Sequence, residues 1–257
     1  MNTEQNLPEA PTEGLTVENP LAKPNVPKFA DAIFVFCLFL AISFMAGSLA
    51  QLFSKGAMPK TPETSQALFY AKCISHIIGI LLPVLIYIRL RKFNLKETLN
   101  LNPVPALTLL WITFVSIGVF VGIGYLQTQL EPIFRPFQGD MEEYQNFYKT
   151  IARSSRSRID ILFLVATIGL IPAVIEEILF RGIMLSGFRN SSTPAKAVLL
   201  AGLLFGIIHF FPPQMIAISL LGIYFGFLAV KTRSIVTAIW CHFLNNFLMI
   251  MAMFIVQ

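Results

Sequence analysis

Long apolar runs separated by short polar clusters organise this chain. They cover about Phe29–Phe53, Gln66–Ile88, Ala106–Leu130, Ile159–Gly187, Ala195–Phe211, Gln214–Val230 and Ile235–Val256. Most are near or above the roughly 18–20 residues that cross a bilayer as a helix, and the fifth is short. The pattern predicts an all-α, polytopic transmembrane helix bundle of about seven to eight spans. The separators are chemically plain: Arg89-Leu90-Arg91-Lys92 after the second run, Gly187, Asn190, Ser191, Ser192 and Pro194 after the fourth, and Pro212-Pro213 after the fifth. Glycine pairs at spacing four (Gly118/Gly122, Gly202/Gly206 and Gly222/Gly226) predict closely packed helices.

Three parts follow from this pattern. Residues 1–28 are polar, acidic and proline-bearing, and read as a disordered tail with no signal-peptide pattern. Residues 29–158 hold the first spans and the longest internal connection, over 131–158, where a short interfacial helix is expected. Residues 159–257 hold the remaining spans and the candidate catalytic core, with Glu176, His209, His242 and Asn246 on apolar helices.

Composition sharpens the picture. Of 257 residues, 55% are hydrophobic and only 13% charged, which overrules a reading of one or two soluble domains. The net charge of +5 comes without a basic cluster interleaved with aromatics, so it reads as loop bias and nucleic acid is not an expected partner. With residues 1–28 on one side, that side carries about ten Lys and Arg against about seven on the other, favouring a cytoplasmic N-terminus. An integral protein of the bacterial inner membrane is expected. Cys37, Cys73 and Cys241 each lie inside an apolar run, give no disulfide framework and read as small buried residues.

Candidate chemistry concentrates in Ile171-Pro172-Ala173-Val174-Ile175-Glu176-Glu177-Ile178-Leu179-Phe180-Arg181. A charged side chain at the centre of a membrane helix costs about 2.5–3.5 kcal/mol on insertion scales, so three in one apolar run need partners or a use. Glu177 and Arg181 are four apart and can pair on one face. Glu176 is rotated by roughly 100° from Glu177 and does not share the arginine's face, which leaves it as the working acid. Pro172 can kink the helix. Downstream, His209 follows Gly202 and Gly206, while His242 and Asn246 share a helix face at spacing four, with Asn245 in reach.

Taken singly, these residues have plainer readings: His76 as an interhelical hydrogen-bonder, Asn246 as helix glue, and Arg158 and Asp160 as boundary residues facing water. Their joint occurrence suits peptide hydrolysis in a membrane. Glu176 could take a proton from a water held against His209, with His242 and Asn246 donating to the oxyanion of a tetrahedral intermediate. A second version places a divalent metal such as zinc between Glu176, His209 and His242. Residue type excludes neither. The chain has no His-Glu-x-x-His and no Gly-x-Ser-Gly, and Asp31, Asp140 and Asp160 are not spaced as a dyad within two spans. Counting about 1.5 Å per residue from the run ends does not bring Glu176, His209 and His242 to one depth.

Together, Glu176-Glu177-x-x-x-Arg181, Phe205-x-x-x-His209 and His242-x-x-x-Asn246 resemble the three signatures of the CPBP intramembrane proteases. That family includes the CAAX prenyl endoproteases and bacteriocin-processing or self-immunity proteins. The matching region is about Ile159–Met253. The resemblance implies an eight-helix or similar membrane fold with a conical cavity. It implies that Glu176 and His209 activate water, that His242 and Asn246 stabilise the oxyanion, and that Glu177, Arg181 and Phe205 support the site. The partners it implies are a peptide or lipidated protein substrate and the lipid bilayer. Rival readings are a proton-coupled transporter, since membrane Glu, His and Arg also mark ion paths, and a non-catalytic binding or immunity protein of the same fold. The first half of the chain carries no matching set of polar groups, which argues against a repeat-built carrier.

Overall fold

The computed structural model describes residues 24–53, 77–134, 150, 157–209 and 212–255. His76, Cys73, residues 1–23 of the expected tail and most of the 131–158 connection lie outside this set. The described chain is helical: α1 Phe29–Phe53, α2 Ile77–Leu90, α3 Leu95–Leu99, α4 Ala106–Phe134, α5 Arg158–Arg189, α6 Pro194–Ile207, α7 Pro212–Thr232 and α8 Ile235–Ile255. Seven of these, all but the short α3, correspond to the seven apolar runs. The protein is a polytopic helical membrane bundle. Large apolar side chains such as Leu107, Trp111, Phe114 and Ile159 face outward, as a lipid solvent allows.

Local chemistry sets the helix ends. Ser157 Oγ accepts from Asp160 N at 3.1 Å and Asp160 Oδ2 accepts from Ser157 N at 3.0 Å, so Asp160 closes a capping box where a solvated boundary residue was expected. Thr193 caps α6, and Pro194 occupies its first turn, where a missing N–H costs nothing. The α7–α8 turn places Arg233 at φ 52°, and the loop after α3 holds it: Asn102 Nδ2 donates to Arg233 O and Ser234 Oγ donates to Asn102 O, both at 2.6 Å.

Helix α5 is not uniform. It widens into π turns over Val165–Leu170 and Ile178–Met184, flanking the α-helical Ile171–Glu177. Pro172 follows the first π turn directly, so its missing donor falls where the ladder has already changed pitch. Gly187, expected in the break, lies inside the helix instead. A Cβ there would come 2.6 Å from Lys28 O and 2.9 Å from Ala32 Cβ, so the residue is a contact point with α1. The break falls at Asn190–Thr193, and Asn190 Nδ2 donates to Pro27 O at 2.6 Å. Residues 24–28 are thus tied to the bundle.

The glycine expectation divides. Helices α6 and α7 form an antiparallel hairpin in which Gly206 meets Ser219 and Met215, Gly202 meets Ile223, and Gly226 meets Val198. A Cβ on Gly202 would lie 2.6 Å from Ile223 N, and one on Gly222 would lie 2.9 Å from Gly202 O, so both backbones need the absent side chains. Gly118 and Gly122 differ: a Cβ on either meets nothing within 4 Å among the described residues. The same spacing marks a packed seam in one place and an open face in another. Cys37 is also corrected, since it is exposed on α1 and not buried, whereas Cys241 is buried as expected.

Candidate active site

The site lies where the α-helical turn of α5 meets α6, α7 and α8. Glu177 Oε1 accepts from Arg181 Nη1 at 2.7 Å, and both side chains are 0% exposed. The i, i+4 spacing foreshadows this pair. Two further anchors hold the guanidinium. Its Nη2 donates to Gly222 O at 2.9 Å, and its plane sits among the rings of Phe205, Phe225 and Phe180 at 4.5, 5.5 and 6.0 Å. Arginine suits such a place because it is planar, always charged and more weakly hydrated than an ammonium. Gly222 serves twice, since its missing side chain admits α6 and its carbonyl receives Arg181.

Glu177 has a second partner 65 residues away. His242 Nδ1 lies 2.9 Å from Glu177 Oε1. A carboxylate only accepts, so the ring's Nδ1–H donates and the tautomer is set. The imidazole stacks on Phe225 at 5.3 Å and meets Phe205 edge-on at 5.6 Å. Its Nε2 then faces Glu176 Oε2 at 3.9 Å, longer than a direct hydrogen bond. The divergence of the two glutamates is what makes this possible. Each addresses a different nitrogen of the same ring, Glu177 from a fully buried position and Glu176 from one with 12% side-chain exposure.

His209 lies in the turn just past α6. Its Nδ1 is 3.0 Å from Phe205 O, its backbone N–H donates to Gly206 O, and its ring meets Phe205 edge-on at 5.5 Å. Phe205 is therefore a wall shared by both imidazoles. Asn246 donates its amide over 3.3 and 3.4 Å to Ile168 O and Gly169 O, carbonyls of the first π turn, and accepts from Asn245 Nδ2 at 3.4 Å. The bonds are long, and they place the amide one helical turn from His242 against α5. Glu176, Glu177, Arg181, Phe205 and His242 form one contact cluster; His209 joins it through Phe205, and Asn246 lies one turn past His242, against the first π turn of α5.

Some of the surrounding machinery has no sequence signal. Ser116 of α4 is buried and bonds both Tyr224 Oη at 2.9 Å and Cys241 Sγ at 3.2 Å, and Trp240 Nε1 donates to Thr113 Oγ1 at 2.8 Å. These contacts dock α4 onto α7 and α8 beside His242. Only the adjacency of Cys241 to His242 hints at them. Glu176, His209 and His242 carry the donor types of a metal site, but among the described residues no three His, Cys, Asp or Glu side chains gather as a ligand group.

Fold and site together define a class: a helical membrane protein with a sheltered acid–imidazole site backed by a buried ion pair. Comparison with known proteins agrees. Residues 158–248 match the model of the "Type II CAAX prenyl endopeptidase Rce1-like" family, a likeness over about a third of the chain. The match contains every candidate residue from Glu176 to Asn246. Among curated proteins, the chain is 20% identical over 225 residues to "Putative membrane peptidase YdiL" of Bacillus subtilis, covering 85% of this chain and 87% of that protein. It is 28% identical over 197 residues to "Uncharacterized protein YyaK" of the same organism, covering 72% of this chain and 61% of that protein. No solved structure matches. The chain is thus an integral membrane protein with one segment similar to a peptidase family.

Proposed function

We propose that this protein is an intramembrane endopeptidase that hydrolyses a peptide bond near the cytoplasmic face, with Glu176 as general base. One observation carries the reading: His242 held between Glu177 and Glu176, each at its own nitrogen. Water bound at Glu176, with His209 as the second group on it, attacks the scissile carbonyl carbon and gives its proton to Glu176. The C–O bond forms, and the carbonyl π electrons move to oxygen. His242, when its ring carries both protons, and Asn246 donate to that oxyanion. Collapse breaks the C–N bond, and the proton on Glu176 passes to the leaving amine. Glu177 fixes the ring of His242, and Arg181 balances Glu177, so neither needs to touch substrate. No step requires an ion.

The family match supports a prenylated CAAX-type peptide as the first substrate to try, with a leader peptide as the second. Loop charge supports an N-terminus in the cytoplasm, and a bacterial inner membrane is the setting this reading takes. The test is purified protein in lipid nanodiscs with a farnesylated CAAX peptide or a leader peptide, comparing wild type with Glu176→Ala and His209→Ala. Cleavage by wild type and loss in both variants is expected. Equal cleavage by all three would remove these residues from the mechanism, and pH-gradient-driven uptake into liposomes without cleavage would favour a transporter.

A further inference from the structure

Helices α6 and α7 line a second feature, an open groove. A groove of about 740 Å³ is lined by Val198, Leu199, Leu220, Ile223, Tyr224 and Phe227, with Pro194, Ala195 and Lys231 at one end. Its volume lies within the range of about 300–1,000 Å³ that holds a small ligand. We infer that this groove binds one acyl chain of an anionic phospholipid, with the headgroup at Lys231.

Dimensions and charge both point to this occupant. From Leu220 to Lys231 the lining follows eleven residues of α7. At about 1.5 Å per residue this is roughly 16 Å, half of a hydrocarbon core about 30 Å thick. The groove therefore runs the depth of one leaflet, the length of one chain. Its walls are apolar, and the only charged residue among its lining residues is a cation. Lys231 is held along the wall, its Nζ 5.7 Å from the Phe227 ring. The antiparallel hairpin puts the last turn of α7 beside the first turn of α6, so the positive end of a 14-residue helix faces the same place. A phosphate there meets an ammonium and a helix N-terminus while its chain lies along the apolar floor of the open groove. This inference stands apart from the peptidase reading, because none of its lining residues acts in that chemistry.

The experiment counts lipids retained by the full chain. Protein in mild detergent is titrated with phosphatidylglycerol or phosphatidylcholine of the same acyl chains, and bound lipid is measured by native mass spectrometry. Wild type should keep one phosphatidylglycerol with about fivefold preference over phosphatidylcholine, the order expected from one lysine at the membrane surface. Lys231→Glu should abolish the preference, and Ala195→Trp or Leu199→Trp, which fill the groove, should lower retention of both lipids. Unchanged thermal unfolding shows that each variant is folded, and should one tryptophan variant fail, the other and Lys231→Glu decide. Equal retention of the two lipids by wild type, or undiminished preference in Lys231→Glu, overturns the inference. So does displacement of the lipid by an equimolar farnesylated peptide without phosphate, which would assign the groove to substrate hydrocarbon.

Discussion

Two carboxylate–guanidinium pairs in this molecule use the same chemistry for different ends. Glu177–Arg181 is wholly enclosed, 0% exposed on both sides, with His242 as the third member. Asp31–Arg91 spans 2.9 Å with Asp31 buried and Arg91 half-exposed at 51%, and its third member is Tyr87, whose hydroxyl donates to Asp31 Oδ1 at 2.6 Å. Asp31 also accepts from Lys28 N at 2.8 Å, while Asn25 Nδ2 donates to Arg91 O at 2.7 Å. This second cluster fastens the chain entering α1 to the end of α2. The enclosed pair has an imidazole as third partner, with a further acid 3.9 Å from its other nitrogen, whereas the staple has a tyrosine packed on Phe34 and Phe93.

The largest expected effect separates the site from its scaffold. Glu176→Gln should lower cleavage by about a hundred- to ten-thousand-fold, the range for a general base, while the thermal unfolding midpoint stays near wild type. A drop in midpoint that parallels the activity loss would make Glu176 a scaffold residue and collapse the distinction.

Next, Arg181→Ala should destabilise by about 3–5 kcal/mol, because it leaves Glu177 buried and unpaired. The double change Glu177→Leu, Arg181→Met should recover much of that stability yet remain poorly active, since His242 loses the acceptor that fixes its ring. Chemical denaturation in micelles together with peptide cleavage reads both. Full activity in the stable double variant would show that Glu177 does not orient His242.

A smaller effect tests the glycine seam. Gly206→Ala meets Ser219 and Met215 and should cost about 1–3 kcal/mol, whereas Gly118→Ala, open among the described residues, should be neutral or gain up to about 1 kcal/mol of helix propensity. Matching losses at both positions would mean that α4 also has a close-packed partner. Smallest is Tyr87→Phe, which removes one hydrogen bond to Asp31 and should cost about 0.5–1.5 kcal/mol with cleavage unchanged. Altered cleavage would join the staple to the site.

What could be read from residue order is what short range dictates. Apolar runs of spanning length mark the helices, because burial in lipid needs no tertiary partner to be favourable. The Glu177–Arg181 pair is legible because a spacing of four along a helix brings two side chains together, here across the start of a π turn. The paired motifs around Phe205–His209 and His242–Asn246 point to peptidase chemistry for the same reason: each is a one-turn relation.

What stayed hidden depends on which helices become neighbours. The bond from Glu177 to His242 crosses 65 residues, and the contacts of Ser116 with Tyr224 and Cys241 cross more than 100. The π turns of α5 follow no local periodicity, yet they bracket the turn carrying both glutamates. The Asp31–Tyr87–Arg91 staple joins two separate helices. Three glycine pairs share one spacing, and only packing distinguished the seam of α6 and α7 from the open face of α4. Sequence by itself determined that this chain is a membrane helix bundle with an acid, an arginine and histidines to place. Tertiary structure decided that both glutamates face one imidazole, because the direction of a side chain is local while the identity of what it meets is not.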